Sequence, residues 1–277
     1  MCLSVASLNS GSNGNCYYIE SANDAILIDA GISCREIEKR MKRLGLLPQK
    51  IKAVFITHEH ADHIFGLISF LKKFPVPVYT THKTSLEVTG LPLQLVNTIN
   101  TNEIITVGEL SVTAFSTLHD AADSCGFVIN CNNITAGVFT DIGYACENVI
   151  HYFRQCHAVF LEANYDTVML QRGRYPLMLK KRITGGKGHL SNAQALELFL
   201  THKPSFMTHL FLSHLSHNNN HPSIVEELFN AHADGVKIIV TSRFKETELH
   251  TIAAAQQEKK TIYLKQTAVK QLSFAFN

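Results

Sequence analysis

Short apolar runs rich in β-branched residues alternate along this chain with segments of helical periodicity. Residues 51–57, IKAVFIT, are typical of a buried strand, and residues 33–44 are typical of a helix that begins at Ser33 and ends at Gly45. Glu36 stands three residues after Ser33, a spacing that predicts a capping box. The alternation predicts two β-rich halves, each with helices, stacked as a four-layer α/β/β/α sandwich.

The same patterns predict the remaining elements. Further strands are expected at residues 3–8, 16–20, 25–31, 77–81, 103–107, 110–117, 125–130, 133–140, 158–163, 206–213, 236–240 and 261–265. Further helices are expected at residues 64–74, 144–154, 191–201 and 222–231, with two helical pieces inside 166–179.

Composition narrows the class of protein. Hydrophobic residues make up 45% of the 277 residues and charged residues 17%, which excludes a disordered, collagenous or coiled-coil chain. One domain covering residues 1–277, with no inserted second domain, is expected. We expect neither a secretory signal nor a membrane span, because the first residues lack a basic region and no apolar run approaches the necessary length. The 7 scattered cysteines are typical of reduced thiols, so a cytoplasmic location is expected.

The segment THEHADHI carries the most specific chemistry in the sequence. His58, His60, Asp62 and His63 follow the buried strand 51–57 directly. A loop that leaves a strand can direct several side chains to one point, and imidazole with carboxylate suits zinc, manganese or iron. The alternative is a polar surface loop that contains histidines by chance.

Similar residues recur where other predicted elements begin or end. His119, Asp141 and His214 follow predicted strands, Asp29 lies near the end of another, and His189 stands at the start of a predicted helix. Taken singly, a strand-terminal aspartate is usually a turn former and a lone histidine is usually structural. Taken together, they favour a binuclear metal centre.

These residues and their spacing resemble the metallo-β-lactamase superfamily over most of the chain. The segments SGSNGNC, THEHADHI, LHDAADSCGF, FTDIGY, LEANYD, GHLSN and LSHLSHNNNHP are similar to those of the YycJ/WalJ family, regarded as 5′-to-3′ exonucleases acting on DNA. One position departs from the family pattern, since Tyr165 stands where a histidine is expected. That departure puts a direct role for this position in doubt and leaves the metal set intact.

The resemblance implies a role for each matching residue. One metal ion would be held by His58, His60 and His119, the other by Asp62, His63 and His214, with Asp141 bridging the two. Asp29 would orient a ligating histidine, since such histidines usually donate their other N–H to a carboxylate. Three more acidic residues are candidates for the same support or are plain turn and surface residues: Asp120, Asp123 and Glu162.

The chemistry implied is hydrolysis of a phosphodiester by water activated between two divalent ions, zinc or manganese. Ions about 3.5–4 Å apart would lower the pKa of such a water toward ~7 and neutralise charge on the phosphate oxygens. Asp62 could accept the proton of that water, and His189 is expected to protonate the leaving oxygen. The alternative for His189 is a structural histidine at a helix start.

An anionic substrate is indicated by charge. No acidic residue falls between residues 167 and 196, a stretch that holds six basic residues in a chain of net charge +2. Phosphate contacts are expected from Lys180, Arg182 and Lys187, and Tyr165 and Tyr175 could stack on unpaired bases. The alternative is an ordinary solvated basic face.

The loop between the first two strands offers further donors. Its glycines can direct backbone N–H groups at an anion, and substrate contacts are expected from Ser10, Asn13 and Asn15. A turn of this composition is otherwise just a hairpin loop.

The favoured function is therefore a binuclear phosphodiesterase, a 5′-to-3′ exonuclease with DNA as its partner. The main alternative is a metal-dependent hydrolase of a small phosphodiester, a cyclic nucleotide or a lactone. A third is a metal-binding protein without catalysis, which the complete ligand set disfavours. The sequence disfavours a secreted β-lactamase, glyoxalase II, and the RNase J type with its inserted domain, for which the segment between Asp141 and His189 is too short.

Overall fold

The computed structural model describes residues 3–253. The strand predicted at residues 261–265 lies outside the described residues. The strands are β1 (Leu3–Asn9), β2 (Cys16–Glu20), β3 (Ala25–Ile28), β4 (Ile51–Phe55), β5 (Val78–Thr80), β6 (Val96–Thr98), β7 (Ile104–Val107), β8 (Leu110–Ser116), β9 (Cys125–Cys131), β10 (Ile134–Phe139), β11 (Ala158–Glu162), β12 (His209–Ser213), β13 (Lys237–Val240) and β14 (His250–Ile252).

The helices are α1 (Cys34–Arg43), α2 (Ala61–Ile64), α3 (Leu67–Lys73), α4 (His82–Glu87), α5 (Glu147–Phe153), α6 (Thr167–Arg172), α7 (Leu177–Thr184), α8 (Asn192–His202) and α9 (Pro222–Asn230). Two short 3₁₀ turns occupy Pro48–Lys50 and Leu93–Leu95. None of the helices between residues 3 and 253 combines the length and the apolar character that a membrane span requires.

Two seven-stranded mixed sheets form the centre of the molecule. The first has the order β14-β1-β2-β3-β4-β5-β6 and the second the order β13-β12-β11-β10-β9-β8-β7. Strands β3 to β6 run parallel, as do β10 to β13, whereas β8 pairs antiparallel with β9 and β9 antiparallel with β10. Strands β8, β10, β11 and β12 therefore all end at the same edge of the second sheet.

Three apolar clusters define four layers. One lies between the sheets, where Tyr17 and Phe160 stand with ring centroids 4.8 Å apart and Phe55 meets Phe127 at 5.5 Å. A second contains residues of α5, α8 and α9 with the outer face of the second sheet. A third contains residues of α1 and α3 with the outer face of the first sheet. The predicted four-layer α/β/β/α sandwich is confirmed.

Serine side chains cap the first turns of two helices, α1 and α8. The Ser33 hydroxyl accepts a hydrogen bond from the backbone N–H of Glu36 and caps α1. The reciprocal half of the predicted capping box is not among the contacts of Glu36, since its carboxylate pairs with Lys39 and Arg40. A complete capping box is present instead at α8, between Ser191 and Gln194.

Some element predictions were wrong in extent. The helix predicted over 64–74 is divided at Gly66 into α2 and α3. Gly66 packs closely against the backbone of Ile32, because a Cβ built on it would lie 1.8 Å from the Ile32 carbonyl oxygen. The second helical piece, α7, continues past residue 179 to Thr184. The sequence analysis missed α4, β6 and β14, which are short and lack a clear apolar periodicity.

Candidate metal centre

The strand ends bring the predicted site residues to one edge of the sandwich. Each polar side chain follows directly, or within a few residues, from a strand that ends at this edge. Asp29 follows β3, the histidine-rich loop follows β4, and the other contributors are His119 after β8, Asp141 after β10, Glu162 at the end of β11 and His214 after β12.

Three of these residues share an unusual backbone conformation. Asp29, Asp141 and His214 have φ values of 60°, 56° and 55°. A non-glycine residue in the left-handed region costs on the order of 1 kcal/mol or more, and such residues cluster at functional sites. The left-handed turn bends each chain sharply as it leaves its strand.

His58, His60 and His119 form the first group that could hold a metal ion, with donor atoms within 4.8 Å of one another. The Nε2 atom of His58 lies 3.0 Å from Nδ1 of His60. Nδ1 of His119 donates to the Gly188 carbonyl oxygen at 3.0 Å, which leaves its Nε2 as the ligand atom. Burial holds the pKa of His58 well below its usual value, so this ring is neutral and offers a lone pair.

The second group contains Asp62, His63 and His214. His63 donates through Nδ1 to Asp29 Oδ2 at 2.7 Å, and His214 donates through Nδ1 to Glu162 Oε1 at 2.9 Å. Each ring therefore presents Nε2, and Asp62 Oδ2 lies 3.6 Å from that atom of His63 and 3.4 Å from that of His214.

Asp141 lies between the two groups. Its Oδ2 is 3.0 Å from His63 Nε2, and its Oδ1 is 3.6 Å from His119 Nε2. Asp141 also shares a third potential ligand group with His58 and His63. One carboxylate thus reaches ligands from both groups.

Two buried atoms at the centre fit a metal ion. Asp141 Oδ2 and His214 Nε2 are buried and, among the described residues, have no hydrogen-bond partner. A buried polar atom left unpaired costs about 1–3 kcal/mol. A cation coordinated by both atoms would satisfy them.

The charge around His63 points the same way. Burial disfavours the charged form of His63, but Asp29, Asp141 and Asp62 outweigh it and raise the pKa of this ring well above its usual value. The carboxylates around this ring therefore favour positive charge here.

Asp29 connects β3 to the histidine-rich loop. Its Oδ1 accepts from the backbone N–H of Thr57 at 2.9 Å, and the Thr57 hydroxyl lies 2.9 Å from Oδ2. The same hydroxyl lies 3.0 Å from Nδ1 of His58. Burial raises the pKa of the Asp29 carboxyl, and its bonds to His63 and Thr57 oppose that rise. The sequence analysis did not single out Thr57, although it is the first residue of THEHADHI.

Glu162 supports the opposite side of the centre and is completely buried. Its Oε1 accepts from Nδ1 of His189 at 2.7 Å as well as from His214. Its Oε2 accepts from the backbone N–H groups of Ile142 at 2.8 Å and Leu190 at 3.2 Å. This carboxylate joins β11, the loop after β10, and the start of α8.

His189 is partly open to solvent, with 21% of its side chain exposed. Its ring centroid is 5.1 Å from that of His119 and 5.3 Å from that of His214. Burial opposes protonation, but Glu162 and Asp141 outweigh it, so the pKa is raised. The ring beside the two ligand groups therefore tends to carry a proton.

The loop residues proposed for substrate contact are placed differently from one another. Ser10 is buried, and its hydroxyl accepts from the backbone N–H of His214 at 2.8 Å. Asn15 is also buried, with Nδ2 3.0 Å from His63 Nε2 and 3.3 Å from Asp62 Oδ2. Asn13 is exposed and bonds to Arg243. Ser10 and Asn15 therefore contact residues of the candidate metal centre.

The basic segment borders the first ligand group. Arg182 pairs with Asp120, whose Oδ1 lies 3.2 Å from His119 Nε2. Lys180 donates to the Gln171 carbonyl oxygen at 2.7 Å, and Lys187 is exposed. Asp123 contributes its backbone carbonyl, which accepts from the Thr81 and Thr84 hydroxyls.

The aromatic residues of this region lie in different surroundings. Tyr165 is buried, and its backbone pairs with Ser191. Burial raises the pKa of its phenol. Tyr175 is half-buried, and its hydroxyl accepts from Asn218 Nδ2 at 3.0 Å.

Comparisons with known proteins agree with this geometry. Residues 10–140 match the model of the metallo-beta-lactamase superfamily. The chain is 32% identical over 224 residues to exodeoxyribonuclease YycJ of Bacillus anthracis, covering 79% of this chain and 85% of that protein. It is 28% identical over 235 residues to exodeoxyribonuclease WalJ of Streptococcus pneumoniae, covering 81% and 87%. The crystal structure of the metallo-beta-lactamase fold protein YhfI from Bacillus subtilis superposes with a TM-score of 0.69 at 17% identity, covering 91% of this chain and 100% of that one.

Fold and site together define a metal-dependent hydrolase. The chain belongs to the metallo-beta-lactamase superfamily and, within it, to the YycJ/WalJ family.

Proposed function

We propose that this hydrolase is a binuclear phosphodiesterase that shortens DNA from its 5′ end. The observation that carries the proposal is the pair of ligand groups joined by Asp141. The naming of two relatives as exodeoxyribonucleases supports a nucleic-acid substrate. A lactone or another uncharged substrate would gain nothing from the basic segment that borders His119.

His58, His60 and His119 would hold one ion, and Asp62, His63 and His214 the other, with Asp141 shared. Two zinc or manganese ions in these places would supply an activated water and neutralise charge on the phosphate. The Asp62 side chain is 24% exposed. Burial favours its neutral form, but His63 and His214 outweigh it and lower its pKa, so the carboxylate is ionised and able to accept the proton of the attacking water.

His189 would donate a proton to the leaving oxygen. A departing sugar oxygen is a strong base and needs that proton, and a positioned acid contributes typically ~10²–10⁴-fold to the rate. Glu162 orients the ring through Nδ1 and raises its pKa, which leaves Nε2 as the donating atom. Lys180, Arg182 and Lys187 would contact the substrate phosphates.

We also propose a cytoplasmic location. The six cysteines among the described residues are unpaired, and five of them are buried. Unpaired thiols of this kind are typical of a reducing compartment.

A nuclease assay with a matched pair of variants tests the function. Purified protein is stripped of metal and given zinc or manganese, then end-labelled single- and double-stranded DNA and RNA. We expect stepwise shortening of DNA from the 5′ end by wild type and by the exposed control His232→Ala, and loss in His60→Ala. Metal analysis should give two ions per chain. Cleavage of bis-nitrophenyl phosphate without cleavage of any polymer would contradict the proposal and favour a small-molecule hydrolase.

A further inference from the structure

A groove opens beside the second ligand group. It has a volume of about 710 Å³ and is lined by residues that follow β12, by β13 and by the segment after β13. We name it the 241–245 groove, after the segment from Thr241 to Lys245 that forms one wall. Neither the ligand set nor the basic segment includes this wall.

The groove is joined directly to the metal centre. Ser10 lines it, and the same Ser10 hydroxyl accepts from the backbone N–H of His214. The backbone N–H of Ser10 donates to the Ser242 carbonyl oxygen at 3.2 Å. Leu215, the residue after His214, also lines the groove. A chain lying in the groove would therefore pass next to the second ligand group.

Phe244 gives the groove an aromatic surface. The residue is 75% exposed, although complete burial of such a side chain contributes about 1.5–3 kcal/mol. A single exposed phenylalanine needs no explanation, but this one lines a groove between Arg243 and Lys245. An aromatic face beside cations is the arrangement with which proteins bind single-stranded nucleic acid.

Arg243 gives the groove a charge that the described residues leave unneutralised. Its guanidinium donates to the amide oxygen of Asn13 at 3.3 Å, and its carbonyl accepts from Nδ2 of the same side chain at 3.2 Å. Arg243 takes part in none of the lysine and arginine ion pairs found within residues 3–253. A neutral amide thus holds the guanidinium in place and leaves its charge for an anion. Glu226, an exposed residue of α9, also lines the groove.

We propose that the 241–245 groove binds a nucleotide of the single-stranded substrate next to the one that is cleaved. Arg243 contacts the phosphate and Phe244 stacks on the base. The inference rests on the proposed nuclease function and adds where the strand lies. Because every base has a stacking face, binding here is independent of sequence and prefers unpaired strands.

The test compares variants at the groove with matched exposed residues elsewhere. Binding of a fluorescent single-stranded oligonucleotide with a cleavage-resistant phosphorothioate backbone to metal-loaded protein is measured by anisotropy for Phe244→Ala, Phe244→Tyr and Arg243→Gln. Leu93→Ala and Arg154→Gln are the controls, since both side chains are exposed and lie outside the groove. We expect Phe244→Ala to weaken binding about tenfold. Phe244→Tyr should retain binding. Arg243→Gln should reduce the slope of log affinity against log salt concentration by the equivalent of about one phosphate contact.

Cleavage by the metal-loaded enzyme gives the second readout. The ratio of kcat/KM on single-stranded DNA to that on bis-nitrophenyl phosphate should fall about tenfold in Phe244→Ala and stay constant in the controls. If Phe244→Ala and Arg243→Gln bind the oligonucleotide as tightly as wild type and have the same kcat/KM ratio, the proposed role of the groove is wrong. The proposed nuclease function would not be affected by that result. A protein that binds DNA through Phe244 yet cleaves none would overturn the nuclease function and leave the groove. Metal-loaded wild type that neither binds the oligonucleotide nor cleaves DNA would overturn both.

Discussion

Glu162 places one carboxylate oxygen 2.7 Å from Nδ1 of His189, and that same oxygen lies 2.9 Å from Nδ1 of His214. A predicted metal ligand and the predicted proton donor are thus oriented by one atom. Because the carboxylate is buried and its other oxygen accepts two backbone N–H groups, it has little freedom to move. The two histidines should respond together when this residue is changed.

Glu162→Gln tests that coupling. An amide keeps the shape but offers one acceptor where two ring N–H groups and two backbone N–H groups now donate. Residues that orient metal ligands typically contribute about 10–100-fold to metal affinity or activity. We expect kcat/KM and metal affinity, measured by competition with a chelator, to fall within that range. Glu197→Gln, an exposed glutamate on α8, is the control. Unchanged metal affinity and activity in Glu162→Gln would contradict the coupling.

His189→Ala separates proton donation from metal binding. If His189 protonates the leaving oxygen, its loss should matter for DNA, where an alkoxide departs, and much less where nitrophenolate departs without a proton. We expect kcat on DNA to fall about 10²–10³-fold, with a far smaller loss on a nitrophenyl phosphodiester and with metal content retained. A loss of equal size on both substrates would indicate that His189 positions the substrate or the metals instead.

The strand-end residues could be singled out from the sequence because their signal is local, and the structure brings them to one edge of the sandwich. THEHADHI directly follows a strongly apolar run, and Asp141 follows a β-branched strand. Glu162 was harder to rank, since its side-chain contacts are with His189, which precedes α8, and His214, which follows β12, at 27 and 52 positions away. Arg243 carried no signal, because the element before it is short and the partner that holds it, Asn13, is 230 positions distant.

The loop between β1 and β2 shows a second limit. Ser, Asn and Gly residues are typical of hairpin loops and of anion-binding loops alike, so composition alone could not separate the two. In the folded chain, Asn15 reaches Asp62 and His63, and its backbone N–H donates to the Asp62 carbonyl oxygen at 2.7 Å. Such a contact depends on how β2 packs against the loop after β4, which no local pattern encodes.

Gly31 should be intolerant of any side chain. A Cβ built on it would lie 1.8 Å from the Asp62 carbonyl oxygen and 2.6 Å from the Asn15 backbone nitrogen. Backbone must therefore move, and overpacking of this kind costs about 1–3 kcal/mol or more. In a domain of this size, ~1 kcal/mol lowers Tm by about 2–4 °C, so Gly31→Ala should melt about 5–10 °C lower. Gly186→Ala is the control, since its nearest atom would be 3.9 Å away. Equal melting temperatures would contradict the close packing.

His209 should make the fold sensitive to acid. Burial, together with His250 and Lys237, lowers its pKa to about 4. The folded state therefore holds the ring neutral, and stability present above pH ~6.5 is lost as pH falls toward 4. Between pH 7 and 5 this loss is about 1 kcal/mol after allowing for the partial exposure of the residue to solvent. The free energy of unfolding, measured with urea at pH 7 and at pH 5, should fall by about 1 kcal/mol less in His209→Gln than in wild type. Any effect of pH on metal binding is common to both proteins and cancels in this difference. The exposed control His232→Gln should match wild type. A loss in His209→Gln as large as in wild type would mean that the ring already takes up its proton in the folded state.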